Sequence, residues 1–281
     1  MEERDVPDAV RAWRDADVAI RAQFHLPATA WTDAAVARTE GRVSHFLRTD
    51  PDGSFVAELD GTVVGLAQVH RREGLWVLAH LFVSPAAQDH GAGRALIERA
   101  LSYGDPGEPG LIISSRDPRA IRRYALAGFA LWPAVVGWGV VRRAGLGAAP
   151  SVREGTAADL ELTALVDRRV RGAARPTELE LCLAEGDRLL VVDGRGYALL
   201  RGPRVALVSA LDEAAATQLL TAGLAEATDV EHAETARITA PQQWAVAVAL
   251  AAGLELHPHG PVMVRGTPGP LQPYLPDGAL G

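Results

Sequence analysis

Along the chain the spacing of hydrophobic and polar positions changes period repeatedly, and each change predicts an element. Val10, Trp13, Val18 and Ile20 stand among Arg and Asp over residues 8–24, the spacing of an amphipathic helix, and a second helix is expected over 33–47. The period then drops to that of strands. Phe55–Leu59 and Thr62–Val69 flank Asp60-Gly61, a strong hairpin signal, and a third strand over 75–83 follows Glu73-Gly74. A helix is expected over 93–103, ended by the breaker-rich run 104–110, then a buried strand over 111–114. Asp117-Pro118 reads as an N-cap followed by Pro at the first helical position, opening a helix that stops near Gly128. Residues 129–141 are apolar and rich in strand formers.

The stretch 143–150 is small, flexible and breaker-rich, so a domain boundary is expected there, giving domains 1–145 and 146–281. Beyond it the order repeats. A helix is expected over 157–171 and a hairpin over 188–193 and 196–201. A strand over 205–210 and a helix over 212–224 come next, then a strand over 236–239 and a helix over 241–252. The second half is a structural echo of the first, in keeping with a length of 281 residues.

Composition narrows the function. Hydrophobic residues make up 48% of the chain, enough for a packed core, and the net charge of -7 argues against a nucleic-acid partner. Every basic residue is Arg, which excludes a lysine Schiff base and a P-loop lysine. The single cysteine, Cys182, allows no disulfide within the chain and no cysteine metal cluster, and it reads as a small buried hydrophobe; no metal site is expected. The opening Met-Glu-Glu-Arg-Asp has no apolar targeting core, and no apolar run is of membrane length. The expectation is a cytoplasmic protein without a membrane partner.

The chemistry concentrates in one passage. The apolar run Leu81-Phe82-Val83 ends at Ser84-Pro85, a loop Gln88-Asp89-His90-Gly91-Ala92-Gly93 follows, and an amphipathic helix begins at once with Arg94 and Ala95. A strand that stops at a glycine loop and feeds a helix N-terminus is an anion site, because the loop amides and the helix dipole both favour a phosphate. The corresponding passage of the second half, 209–216, has no glycine and carries Asp212 and Glu213, which repel a phosphate. A dehydrogenase-type dinucleotide site fits poorly, since no first βαβ unit with a later ribose-binding acid is visible.

Two motifs in this order carry a resemblance. Gln88-x-x-Gly91-x-Gly93 matches the Q/R-x-x-G-x-G/A loop of the GCN5-related N-acetyltransferase (GNAT) superfamily. Asp117-x-x-Ala120-x-x-x-Tyr124-x-x-x-Gly128-Phe129 matches that superfamily's N-x-x-A-x-x-x-Y-x-x-x-G-F segment, with Asp for Asn. The motifs cover residues 1–145. The remainder resembles the superfamily by element order and by a degenerate Trp244 to Leu254 segment. The whole is similar to tandem GNAT proteins of the YitH-type group. Two departures stand out: no first strand is evident, and no acid stands where many members keep a catalytic Glu.

The resemblance implies an α/β fold of two GNAT-like domains, each a mixed, mostly antiparallel sheet flanked by helices. It implies acetyl-CoA as cofactor, with pantetheine along Leu81, Phe82 and Val83 and the pyrophosphate on amides of Gln88, Asp89, His90, Gly91, Ala92, Gly93, Arg94 and Ala95. Asp117 and Ala120 match cofactor-contacting positions, and Tyr124 matches the general acid. His80 is the candidate base from its place on the strand and its titration near neutrality, ahead of His25, Glu40, His70 or a water chain. His90 and Arg122-Arg123 read chiefly as solvated, as does the cluster Asp167, Arg168, Arg169, Arg171 and Arg175. The expected activity is acetyl transfer to the primary amine of a small molecule, by a monomer or homodimer. The competing reading is a non-catalytic acyl-CoA sensor whose second domain binds a partner.

Overall fold

In the computed structural model, which describes residues 1–105, 107–227 and 230–281, the chain packs into two compact units. One is Met1–Arg71 with Trp76–Glu108. The other is Arg72–Leu75 with Pro109–Gly281.

The first unit opens with α1 (Val6–Gln23) and α2 (Asp33–Thr49), followed by β1 (Ser54–Leu59), β2 (Thr62–Arg72), β3 (Leu75–Val83) and α3 (Ala92–Ser102). The strands lie in the order β1-β2-β3. Asp60 and Gly61 both take left-handed φ, 50° and 75°, as the tightest hairpin turn requires. Val6, Ala9 and Val10 of α1, Val43 and Leu47 of α2, and Val63 and Leu66 of β2 bury one core, with Trp13 and Phe82 packed against it. As expected, no strand precedes α1 among the described residues.

The second unit holds β4 (Gly110–Ile113), α4 (Pro118–Leu126), β5 (Ala130–Val140), β6 (Val152–Glu154), α5 (Leu160–Val170), α6 (Pro176–Ala184), β7 (Arg188–Val192), β8 (Gly196–Arg201) and β9 (Arg204–Ala210). It continues with α7 (Glu213–Ala225), β10 (His232–Thr235), β11 (Ile238–Thr239), α8 (Gln243–Ala251), β12 (Glu255–Arg265) and β13 (Tyr274–Leu275). Its strand order is β4-β12-β5-β10-β9-β8-β7-β6, with β11 on β5 and β13 on β9. All these pairings are antiparallel except β10 with β9. The core gathers β5, β7–β9, α7 and α8 around Leu190, Val205, Val208, Leu219, Leu220 and Trp244.

Two long-range pairings stand out in this sheet. β12, from the C-terminal half, lies between β4 and β5, while β5, from the N-terminal half, pairs with β10. By packing, the chain divides after Glu108. The turn 72–75 joins the second unit through two ion pairs: Arg72 holds the fully buried Glu178 at 2.5 Å, and Glu73 pairs with Arg168 at 2.7 Å.

Candidate active site

Each candidate is placed by its own element. β3 delivers Leu81, Phe82 and Val83, all half-buried, to the start of the glycine loop. Ser84 donates its N–H back to the Val64 carbonyl, and the Gln88 amide donates to the Val83 carbonyl at 3.2 Å, so the loop folds against its own strand. Gly93 must lie close to that strand, because a Cβ there would stand 3.5 Å from the Val83 side chain.

The loop then turns by two left-handed residues, Asp89 (φ 66°) and Gly91 (φ 86°), and Gly91 is the N-cap of α3. Arg94 and Ala95 both donate to the Gly91 carbonyl, so the helix begins in regular fashion. The N–H groups of Asp89, His90, Gly91, Ala92 and Gly93 meet no acceptor among the described residues. Consecutive amides freed by left-handed turns at a helix N-terminus make a concave donor set for an oxyanion. This donor set fits a pyrophosphate. A cavity of about 520 Å³ borders the loop at His90, Gly91, Ala92 and Ala95 and extends towards β1, but Leu81, Phe82 and Val83 do not line it. It flanks the loop on the β1 side and does not trace the strand edge.

His80 is buried on the same strand, among Trp13, Phe46 and Phe82, with ring centroids 4.4, 5.4 and 6.4 Å away. Its Nδ1 faces Gln68 Oε1 at 2.9 Å. Gln68 donates to the Val43 carbonyl at 2.9 Å and to the Ser54 hydroxyl at 3.1 Å, while Ser54 donates to the Asp50 carbonyl. Both amide protons are thus used, and Oε1 is left to accept. His80 therefore carries its proton on Nδ1 in the neutral form, which makes Nε2 its basic nitrogen.

In the second unit, Asp117 caps α4 as the Asp-Pro pair predicts. It accepts from the Arg119 N–H at 2.9 Å and pairs with the Arg119 guanidinium at 2.9 Å. Ala120 is half-buried on α4, and Tyr124 is buried on the same helix. Burial pushes the Tyr124 phenol well above its ordinary value, the Asp117 charge adds to that shift, and Arg123 opposes it. No described residue bonds its hydroxyl.

The cluster at 167–175 departs from expectation. Arg168 and Arg169 are exposed, but Asp167, Arg171 and Arg175 are fully buried. Arg175 clasps Asp167 at 2.8 and 3.0 Å, and Tyr197 donates to the same carboxylate at 2.8 Å. Arg171 and Arg175 also donate to the Leu280 carbonyl at 3.2 and 3.1 Å, and Arg175 and Tyr274 both donate to the Gly281 carbonyl. A solvated face was the wrong reading for these three residues. Their helical spacing hid partners 100 residues away.

The same tail also pairs with an edge of β9. β9 and β10 run parallel for only two rungs, Arg204 with Glu234 and Val205 with Thr235. Beyond them β13 takes the β9 edge, Tyr274 opposite Ser209 and Leu275 opposite Val208. Gln242 fixes that segment by bonding the Leu271 carbonyl and the Tyr274 N–H. Asp212, the N-cap of α7, accepts from Ala215 N–H and pairs with Arg195 at 2.9 Å, so this helix N-terminus already holds an anion.

The comparisons with known proteins agree with the motifs. The model of the acetyltransferase (GNAT) family matches residues 18–129. Over that segment the chain is similar to the GNAT family. The whole chain is similar in fold to a protein from Pyrococcus horikoshii described as a candidate acetyltransferase, at TM-score 0.78 and 18% identity, over 100% of this chain and 94% of that one. It also resembles a GCN5-related N-acetyltransferase from Sphaerobacter thermophilus, at TM-score 0.58 and 13% identity, over 96% and 95% of the chains. A tandem GNAT protein from the clavulanic acid biosynthesis pathway matches at TM-score 0.57 and 18% identity, over 94% and 96%. Among curated proteins the sequence has no match. The GNAT fold is one for acyl transfer from acetyl-CoA, the family's cofactor. No described helix is long and apolar enough to cross a membrane.

Proposed function

We propose that the chain is an acetyl-CoA-dependent N-acetyltransferase acting on the primary amine of a small molecule by direct attack. The observation that carries this reading is the row of unpartnered N–H groups over 89–93, turned by Asp89 and Gly91 at the mouth of α3. The free N–H groups of Asp89 to Gly93 would hold the pyrophosphate, with Gln88, Arg94 and Ala95 only flanking them because their own N–H groups are spent on the Pro85 and Gly91 carbonyls, and Leu81 to Val83 would offer their strand edge to the pantetheine. Asp117 and Ala120 complete the set by their place in the family motif. Bound acetyl-CoA supplies an acetyl group activated as a thioester.

His80 Nε2 takes the proton that an ammonium must lose before it attacks, since Gln68 fixes the tautomer with Nδ1 protonated. Tyr124 Oη gives a proton to the leaving sulfur. Its raised pKa keeps the phenol protonated at every working pH, but also makes donation uphill towards a thiol of ordinary pKa about 8.5. Donation is therefore coupled to the proton that the acceptor nitrogen releases as its bond to the acetyl carbon forms and the carbon–sulfur bond breaks.

Residues 1–145 and 146–281 are two copies of one GNAT-like domain that have exchanged their last strands, and the second copy is degenerate. Support comes from the exchange of β5 and β12, from Asp212 at the second helix N-terminus, and from β13 on the β9 edge. One cofactor per chain follows.

Calorimetric titration of acetyl-CoA, paired with thiol release over a panel of amines, tests the reading. Wild type is expected to bind one equivalent and to release thiol. Tyr124→Phe should bind equally well and lose about 10²-fold or more in kcat. Binding without turnover over the whole panel would replace the enzyme by an acyl-CoA sensor, and no binding would remove the cofactor assignment.

A further inference from the structure

One aromatic side chain of the first unit touches the cofactor strand and has no part in the steps above. α1 turns Val6, Ala9 and Val10 to the core, and Trp13 continues that stripe one helical turn on. The Trp13 ring lies 4.4 Å from the His80 ring and 4.4 Å from the Phe82 ring, within 13° of parallel to the latter. The His80 and Phe82 rings are 6.4 Å from each other, so the indole bridges the two. Phe46 of α2 backs the group, 5.4 Å from His80.

These contacts put His80, Phe82 and Trp13 on one face of β3. The amine that gives its proton to His80 must also reach the thioester carbon, so the acyl group stands on that face as well. Phe82 is the residue of the cofactor edge that shares it, by the alternation of a strand. An acyl chain longer than acetyl has to run on over Phe82, and there it meets the indole. The cavity beside the glycine loop offers no alternative, since neither His80, Phe82 nor Trp13 lines it. In rings packed this closely an added methylene must displace a side chain.

We infer that Trp13, stacked on Phe82 and against His80, sets the acyl-donor specificity: it admits acetyl-CoA and rejects longer acyl-CoA thioesters. The inference rests on the cofactor edge and the base proposed above.

Calorimetric titration of the full-length protein with CoA, acetyl-CoA and hexanoyl-CoA tests it and needs no acceptor. Wild type is expected to bind hexanoyl-CoA about tenfold or more weakly than acetyl-CoA, the range that misfit of an extra apolar group produces. In Trp13→Ala hexanoyl-CoA should bind at least as tightly as acetyl-CoA, with CoA itself unchanged. Trp13→Leu, which keeps an apolar side chain for the fold, should move the ratio the same way by less. Val10→Ala trims the same helix stripe without opening the space over Phe82, and should keep the wild-type ratio. The inference falls if wild type binds the two thioesters equally, if both Trp13 variants leave the ratio unchanged, or if Val10→Ala shifts it as far. In those cases CoA and acetyl-CoA still bind, and the cofactor assignment stands. If wild type binds no CoA at all, the assignment itself fails and takes the inference with it.

Discussion

At 83–95 the chain leaves β3, crosses a loop and enters α3; at 209–215 it leaves β9, crosses a loop and enters α7. The two passages hold matching places in the order of elements and have opposite electrostatics. In the first, Gly91 caps the helix with no side chain and the amides of 89–93 have no acceptor. In the second, Asp212 supplies a carboxylate that the Ala215 N–H and Arg195 both engage. The strand edges differ in the same sense, because β13 occupies the β9 edge. A helix N-terminus is an anion site only while nothing in the chain has claimed it. The second half claims it with one residue and closes the adjoining edge with its own tail.

The largest expected effect strikes the tail's anchor. Arg175→Met leaves Asp167 buried with Tyr197 as its remaining partner, and removing one member of a buried pair costs about 3–5 kcal/mol. Chemical denaturation of the full chain should show that loss. The double replacement Asp167→Leu with Arg175→Met should recover part of it, because the orphaned carboxylate is gone while buried Arg171 keeps only the Ala173 and Leu280 carbonyls. A loss below about 1 kcal/mol from the single change would mean that the pair does not hold the tail, since that is the range of exposed pairs.

The next effect separates the two passages directly. Gly91→Glu places an L-residue at φ 86° and a negative charge where the phosphate would sit. The space around a Gly91 Cβ is open, so the fold survives. We expect the Kd for acetyl-CoA to rise at least about 100-fold, about 2.7 kcal/mol. Glu213→Gln, at the matching helix start of the second half, should leave it unchanged. Equal effects from the two changes would overturn the claim that only the first passage binds cofactor.

Legibility in the sequence followed the range of the interactions. The hairpin at Asp60-Gly61, the Asp117-Pro118 cap and the glycine loop are settled by neighbours in sequence, and all three stand as expected. β12 was not expected, because Pro258, Gly260 and Pro261 read as breakers. The strand absorbs them in an irregularity between His259 and Val262, where the register against β5 shifts. Gly260 is needed there, since a Cβ would strike the Ser114 carbonyl. α6 was missed too. Its run Glu178-Leu179-Glu180-Leu181 alternates polar and apolar with a strand's period, so it shows no helical stripe, and it buries Glu178, Leu179 and Cys182. The pairings of β5 with β10 and of β12 with β4, and the docking of 271–281, join residues far apart along the chain, which no local pattern encodes. Of the candidate site, the loop was legible; the Gln68 that sets the His80 tautomer was not, because an isolated Gln in a strand carries no signal.

The smallest effect asks whether the second passage can be turned into the first. Asp212→Gly removes the cap and the Arg195 pair, and loss of an N-cap carboxylate costs about 1 kcal/mol, less when Gly replaces it. The Arg195 guanidinium and the N–H groups of the α7 start hold the Asp212 carboxyl below its ordinary value. Its contribution is therefore present above the usual carboxylate pKa and is lost as pH falls through the lowered one. Denaturation curves of wild type and Asp212→Gly should converge as the solution is acidified and separate again towards neutrality. At neutral pH the variant should still bind only one acetyl-CoA, because β13 keeps the β9 edge even after the helix N-terminus is freed. A second equivalent of heat would show that charge alone, and not the paired edge, had kept the second half silent.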